Sequence, residues 1–312
     1  MTSQMNFLGL TVYAYGLLVA AGCLAAGLLL IHLAGREEAR KNAAALTCLL
    51  SPIFGLILAR LVYVLCDITF APFLTPANVL NLRVGGFSMF GALLGAVLGG
   101  LLAARLTGVK AALWLDRLAP ALFAFIAVAR LGEGYTALGI SRPLVTGVLD
   151  NTFLAMRDDY DAYLRTYLLE SAGALILCLL ALRSLRRHPE AGRTALFAGL
   201  AFGVTQTLFE SLRFDQHIRF SFVGLQQVLA VTLFSLILIY LAVRLLRQGG
   251  HKILAVWTLG LLPVILGGIL WLEFKVDRSE MSKWLTYGLY TLLLCLPMGL
   301  GLRMLERIGY HG

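Results

Sequence analysis

The chain has 312 residues, 59% hydrophobic and only 14% charged, whereas a soluble domain carries about a quarter charged residues. That balance excludes an ordinary soluble protein and points to an integral membrane protein. The net charge of +9 is not a nucleic-acid signal, because the basic residues follow the connections between apolar runs and form no basic face interleaved with aromatics.

In windows of about 19 residues, apolar segments run over 8–34, 44–66, 86–104, 118–133, 166–182, 194–212, 222–243, 253–273 and 284–302. Each is near the ~20 residues that cross a bilayer, the fifth marginally so. The predicted fold is therefore all-α and polytopic, with about nine transmembrane helices. Connections after the odd-numbered segments and the C-terminal tail hold Arg36, Arg40, Lys41, Arg105, Lys110, Arg117, Arg183, Arg186, Arg187, Arg193, Arg244, Arg247, Lys252, Arg303 and Arg307. The positive-inside rule then places the N-terminus outside and the C-terminus in the cytoplasm.

No charge precedes Arg36, so the basic region of a signal peptide is missing and the first segment is expected to stay as an anchor. It contains Tyr15, at a height that suits an interfacial aromatic. The second segment carries Arg60 and Tyr63 about two turns from its outer end at Asp67. Arg60 either snorkels or pairs structurally, or its planar fork holds two phosphate oxygens.

A long connection with Pro72, Pro76 and Asn78 leads to Val84-Gly85-Gly86-Phe87-Ser88. Two adjacent glycines predict an irregular start to the third segment, with backbone N–H groups open to an anionic headgroup. Behind them, Gly91, Gly95, Gly99 and Gly100 recur at the small-residue spacing that lets helix backbones approach closely.

The fourth segment closes an uncharged run from Leu118 with Arg130-Leu131-Gly132-Glu133. A charge at bilayer depth costs at least ~2.5 kcal/mol, so a buried ionisable pair reads as functional. Arg130 and Glu133, three apart, share a helix face. The connection that follows holds Pro143, Asp150, Asn151 and Asp158-Asp159-Tyr160-Asp161. Loops this long are usually functional or disordered, and both long ones are predicted on the outer side.

Glu170 opens the fifth segment, where a carboxylate also complements the helix dipole. In the sixth, Gln206, Glu210 and Arg213 fall on one face, and Gln226-Gln227 opens the seventh from the same side. Three polar pairs on separate segments predict one polar site in the outer third of the membrane.

The cysteines, Cys23, Cys48, Cys66, Cys178 and Cys295, show no CxxC spacing, which argues for packing residues rather than a metal or disulfide framework. Of the histidines only His217 is predicted outside, so an acid–base reaction would use His217, a carboxylate such as Glu133, or a group on the substrate. GxSxG, HExxH and Walker sequences are missing. The segments do not divide into two halves with matching interruptions, as an inverted-repeat transporter would.

In sequence order, Tyr15-Gly16-Leu17, Ala59-Arg60-Leu61-Val62-Tyr63-Val64, Gly85-Gly86-Phe87-Ser88, Asp116 with Ala119-Pro120, Arg130-Leu131-Gly132, Glu170, Glu210 with Arg213, and Gln227 resemble the prolipoprotein diacylglyceryl transferase family. The likeness runs from about Tyr13 to Leu229. It implies a multi-pass protein of the bacterial plasma membrane, with a seven-helix body over 1–248 and a two-helix extension over 249–312. It implies transfer of diacylglyceryl from phosphatidylglycerol to a prolipoprotein cysteine, with a phospholipid and a lipoprotein precursor as partners and no cofactor or metal.

With Glu133 and Gln206 added from the reading of the residues, the candidate catalytic set is Arg130, Glu133 and Glu210, and the lipid-binding set Tyr15, Arg60, Tyr63, Gly85, Gly86, Gly132, Glu170, Gln206, Arg213 and Gln227. The chain departs from the family pattern at four places. Met89-Phe90-Gly91-Ala92 stands where the family has a histidine before a glycine pair. Glu133 and Leu138 replace an asparagine and a glutamate, Gln206 replaces an arginine, and Phe202 a tyrosine. Two readings follow: a phospholipid-dependent transferase with an ordinary or altered acceptor or lipid, and a lipid-binding protein that has lost the chemistry. A small-molecule transporter comes third.

Overall fold

The computed structural model describes residues 4–7, 10–66, 75–81, 85–136, 138–143, 152–157, 160–214, 219–249, 251–278 and 282–308. A hairpin of β1 (Gln4–Phe7) and β2 (Leu10–Tyr13) leads into α1 (Ala14–Ala34) and α2 (Glu38–Cys66), and a short α3 (Pro76–Leu80) precedes α4 (Met89–Leu106) and α5 (Ala111–Ala129). α5 ends in a 3-10 turn, Arg130–Tyr135. Then come β3 (Ile140–Pro143), β4 (Ala155–Arg157), β5 (Ala162–Arg165), α6 (Thr166–Arg187), α7 (Arg193–Leu212), β6 (Arg219–Phe220), β7 (Val223–Gly224), α8 (Leu225–Arg247), α9 (Lys252–Arg278) and α10 (Lys283–Arg307).

Among the described residues, nine helices are long and apolar enough to cross a membrane, as the hydropathy pattern predicts. Their outward faces are apolar: Leu24, Leu28 and Ile31 on α1 and Leu49, Ile53, Leu56 and Ile57 on α2 are exposed, as lipid-facing side chains must be. Pro52, Pro120, Pro263 and Pro297 lie within α2, α5, α9 and α10, a placement that membrane helices tolerate because neighbours re-satisfy the freed backbone groups.

Several boundaries differ from the hydropathy windows. The first helix starts at Ala14 rather than residue 8, because Leu10–Tyr13 pairs with Gln4–Phe7 as a strand. α2 begins at Glu38, where a Glu38–Lys41 pair at 2.6 Å lets a charged turn be helical. α5 begins at Ala111, seven residues before the expected start. Its Asp116 is buried, and the carboxylate accepts the Gly192 N–H at 2.7 Å and the Ala195 N–H at 2.8 Å, capping α7 in place of a local side chain. α6, expected to be marginal, is a full 22 residues.

The glycine stripe packs as its spacing predicts. A Cβ on Gly91, Gly95 or Gly99 would run into the backbone of α2 at Leu58, Phe54 and Leu50–Ser51. Ser51 Oγ donates to Ala96 O at 2.7 Å across the same seam. Gly85 and Gly86 both have positive φ, 76° and 78°, so the predicted irregular start is present, and Ser88 caps α4 by accepting the Gly91 N–H.

α9 and α10 belong to the same packed body as α7 and α8. Leu200, Phe234, Leu238 and Leu241 share one core with Ile265, Ile269, Leu294 and Met304.

The long connections carry structure of their own. β3, β5 and β4 form an antiparallel sheet in that order. Its β3 strand is stitched to the end of α7 by a Ser141–Arg213 bridge and by the Phe214 N–H donating to Ile140 O at 2.9 Å. Arg213 is thereby held in extended backbone just past the helix.

Candidate functional site

At the end of the bundle opposite the basic connections, the C-termini of α5 and α7 meet the N-termini of α4 and α6. Five buried charged side chains converge there: Arg130, Glu133, Glu170, Glu210 and Arg213. The 3-10 turn after α5 brings Glu133 back onto Arg130, and the two are ion-paired. Arg130 also reaches Glu170 Oε2 at 2.7 Å. Arg213 Nη1 lies 3.1 Å from Glu170 Oε1 and 3.3 Å from Glu133 Oε2. Gln206 donates to Glu210 at 2.8 Å and to Glu170 at 3.3 Å.

Two guanidinium groups thus face three carboxylates contributed by the ends of α5, α6 and α7. Such an arrangement is expensive in a low-dielectric interior unless the charges compensate one another. It can also bind an anion by exchanging a carboxylate for a phosphate, since arginine forks fit both. At Arg213 the contact with Glu133 is the longest of these ion pairs and the natural one to exchange, while the Glu133 pair with Arg130 is the closest.

Met89 is the first residue of α4, one position before Phe90, which stands directly ahead of Gly91-Ala92 where the family pattern has a histidine. The Met89 Sδ accepts from Arg130 Nη2 at 2.9 Å, a weak soft acceptor. Gly132 packs against Tyr15, since a Cβ there would meet the ring at 3.0 Å. Tyr15 is thereby placed beside the cluster with its ring partly exposed.

Arg60 and Tyr63 are used differently. Arg60 donates to Val79 O at 3.1 Å, to Gly86 O at 3.1 Å and to Gly85 O. It binds the irregular segment before α4 rather than joining the five-charge cluster. The Tyr63 ring lies against Gly86, where a Cβ would overlap it. These contacts favour the structural reading of Arg60 over direct phosphate contact.

Gln227 also turns elsewhere. Its Nε2 donates to Glu273 at 2.8 Å and lies 2.9 Å from the Tyr290 hydroxyl, both on the last two helices. His217 and the Asp158-Asp159 pair lie outside the described residues.

Most of the chain is matched by a family model. Residues 3–246 fit the model described as prolipoprotein diacylglyceryl transferase. The chain belongs to the prolipoprotein diacylglyceryl transferase family. It is 28% identical over 247 residues to the phosphatidylglycerol–prolipoprotein diacylglyceryl transferase of Bacillus cereus strain Q1, covering 75% of this chain and 88% of that one. The Bacillus anthracis strain A0248 protein of the same name gives the same figures. The Frankia alni protein of that name is 32% identical over 149 residues, 46% of this chain and 39% of that one.

Within this transferase family framework, α9 and α10 lie beyond the matched residues, and Gln227 lies inside them while its two nearest partners, Glu273 and Tyr290, do not. Two features of the site escaped the sequence. Gly139 has φ +71°, and a Cβ there would lie 2.6 Å from Glu133 Oε2 and 2.7 Å from Tyr167 Cβ. A lone glycine in a connection gives no distinctive signal. Glu273, 2% exposed, does give one: it is a charge inside an apolar segment, as Arg130 is, and the same cost argument points to it.

Proposed function

We propose that the chain is a membrane-embedded transferase that moves a diacylglyceryl group from an anionic phospholipid, of the phosphatidylglycerol kind, to a cysteine thiol on a lipoprotein precursor in the bacterial plasma membrane. The observation that carries this reading is the pair of buried arginines, Arg130 and Arg213, sharing Glu133 and Glu170. Relatives named for this reaction support it.

Binding begins when the lipid phosphate enters between Arg130 and Arg213 and displaces the longer contacts of Glu133. In the transfer step the thiol sulfur bonds to the glycerol carbon as that carbon's bond to the phosphate oxygen breaks. The phosphate leaves with the electron pair, and the two guanidinium groups stabilise the charge that develops on it. The displaced Glu133 carboxylate takes the thiol proton, so the proton lost by the acceptor stays in the site until the leaving phosphate or water removes it. Glu170 and Glu210, with Gln206 between them, keep both arginines oriented.

A second reading, phospholipid binding without turnover, is favoured by Phe90 and Gln206, which put an aromatic ring and an amide where the family has a histidine and an arginine. Purified protein in phosphatidylglycerol vesicles with a lipobox peptide distinguishes the two. The expected product is a peptide heavier by one diacylglyceryl group. Arg130→Lys keeps the charge but loses the fork, so its yield should fall roughly 10²–10³-fold, the effect of removing one transition-state donor. A protein that retains bound lipid but lipidates no peptide at any pH would establish the second reading and remove the first.

A further inference from the structure

At the opposite end of the bundle, where the basic connections lie, α6, α7 and α10 enclose a cavity of about 210 Å³. Its polar wall is Arg183 and Arg187, one turn apart on α6, with Ser184, His188 and Arg193. Among the described residues Arg183 and Arg187 form no ion pair, and both are exposed. Arg193 leans toward Glu190, but loosely, at 3.7 Å. The other wall is apolar, made by Leu180, Phe197, Leu302 and Leu305, with the single carboxylate of Glu306 at its edge.

We propose that this cavity binds the phosphate headgroup of an anionic phospholipid, separately from the Arg130 cluster. Three guanidinium groups, against the carboxylates of Glu306 at the edge and of Glu190 beside Arg193 and His188, leave a net local positive field. Fork-shaped donors four residues apart on one helix face suit the oxygens of a phosphodiester.

The size argues for a headgroup alone. Pockets that take a whole drug-sized ligand run about 300–1,000 Å³, so the acyl chains would remain outside, along the exposed Leu180 and Leu302. Basic pockets between membrane helices on the cytoplasmic side are where such headgroups are held, and the charge rule assigns this end to the cytoplasm. The apolar wall sets a lipid apart from a free phosphate, which would have no use for it. Leu302, Leu305 and Glu306 all come from α10, so the last helix of the extension completes the site.

The test is a titration of the delipidated full-length protein in detergent, read by native mass spectrometry, with dioctanoyl phosphatidylglycerol, dioctanoyl phosphatidylcholine and inorganic phosphate as separate probes. Wild type should bind the anionic lipid at one site more than R183Q/R187Q does. That site in the variant should be weakened roughly thirtyfold, as expected for removing two surface cations. R183K/R187K, which keeps the charges, should weaken it less, and it serves if the glutamine pair does not fold. Equal binding by wild type and both variants would overturn the proposal, as would equal binding of phosphatidylcholine. Displacement of the lipid by equimolar inorganic phosphate would assign the cavity to a soluble anion and overturn the lipid reading. Neither outcome touches the transferase reading, whose assay measures lipidated peptide.

Discussion

Among individual residues, Gly139 shows most directly how backbone conformation can set chemistry. Its φ of +71° and the 2.6 Å approach of a would-be Cβ to Glu133 Oε2 leave two separable costs for Gly139→Ala. One is the left-handed backbone, about 1–2 kcal/mol for a residue with a Cβ. The other is displacement of the Glu133 carboxylate by roughly the ångström that costs a hundredfold in rate. Gly108 has the same φ of +71° with nothing within 4 Å of its Cβ position, and it lies at the far end of the bundle, so Gly108→Ala bears only the first cost. Comparable thermal stability losses for the two variants, with transferase yield falling roughly a hundredfold only for Gly139→Ala, are the expected result. Equal yields would remove Glu133 from the reaction.

Between elements, the seam of α2 and α4 decides whether the site has a floor. Glycines at 91, 95 and 99 let the α4 backbone lie on α2, and at the end of that seam where α4 begins the Ser88 N–H donates to Ala59 O at 2.9 Å, next to Arg60. A Cβ on Gly95 would sit 2.7 Å from Gly55 Cα, and backbone cannot move aside as a side chain can. Gly95→Leu should therefore cost at least the ~1–3 kcal/mol of ordinary overpacking, seen as a lower melting temperature in detergent. Gly299→Ala on α10, where nothing lies within 4 Å, should leave it unchanged. Both this seam and the nine spans were legible in the sequence, because spacing and hydropathy are local and the bilayer enforces them. So was the meeting of Arg130, Glu133, Glu170, Gln206, Glu210 and Arg213, since each is too costly to bury alone. What was not legible came from pairings between distant segments. Arg60 turns to carbonyls at 79, 85 and 86, Asp116 caps a helix that begins 77 residues later, and Gln227 faces α9 and α10. Composition and spacing carry no record of which face of a helix meets which neighbour.

For the whole molecule, the question is what holds α9 and α10 to the body and whether their polar contacts serve the reaction. Apolar contact contributes little to that choice, because lipid tails cover Leu and Phe as well as another helix does. The polar contacts are more selective. Gln227 bonds Glu273 and Tyr290, both buried, the Tyr287 hydroxyl donates to Ser211 O at 2.9 Å, and Arg142 pairs with Asp277 at 2.6 Å while stacking on Phe214 at 4.2 Å. Gln227→Leu strands a buried carboxylate and a hydroxyl, which should cost about 1–3 kcal/mol each. The triple variant Q227L/E273L/Y290F removes all three polar groups together and replaces them with apolar groups of similar size, a change that is often neutral. Melting temperature should fall for Q227L and recover in the triple variant, giving a coupling that single substitutions cannot mimic. Transferase yield then separates two roles for Gln227. If it only fastens the extension, yield recovers along with stability. If its carboxamide also touches the phospholipid, the triple variant regains its melting temperature and stays inactive. The geometry favours the first outcome, because the two short Gln227 bonds go to residues beyond the matched 3–246 and only a long one, 3.5 Å to Thr207 O, stays within them.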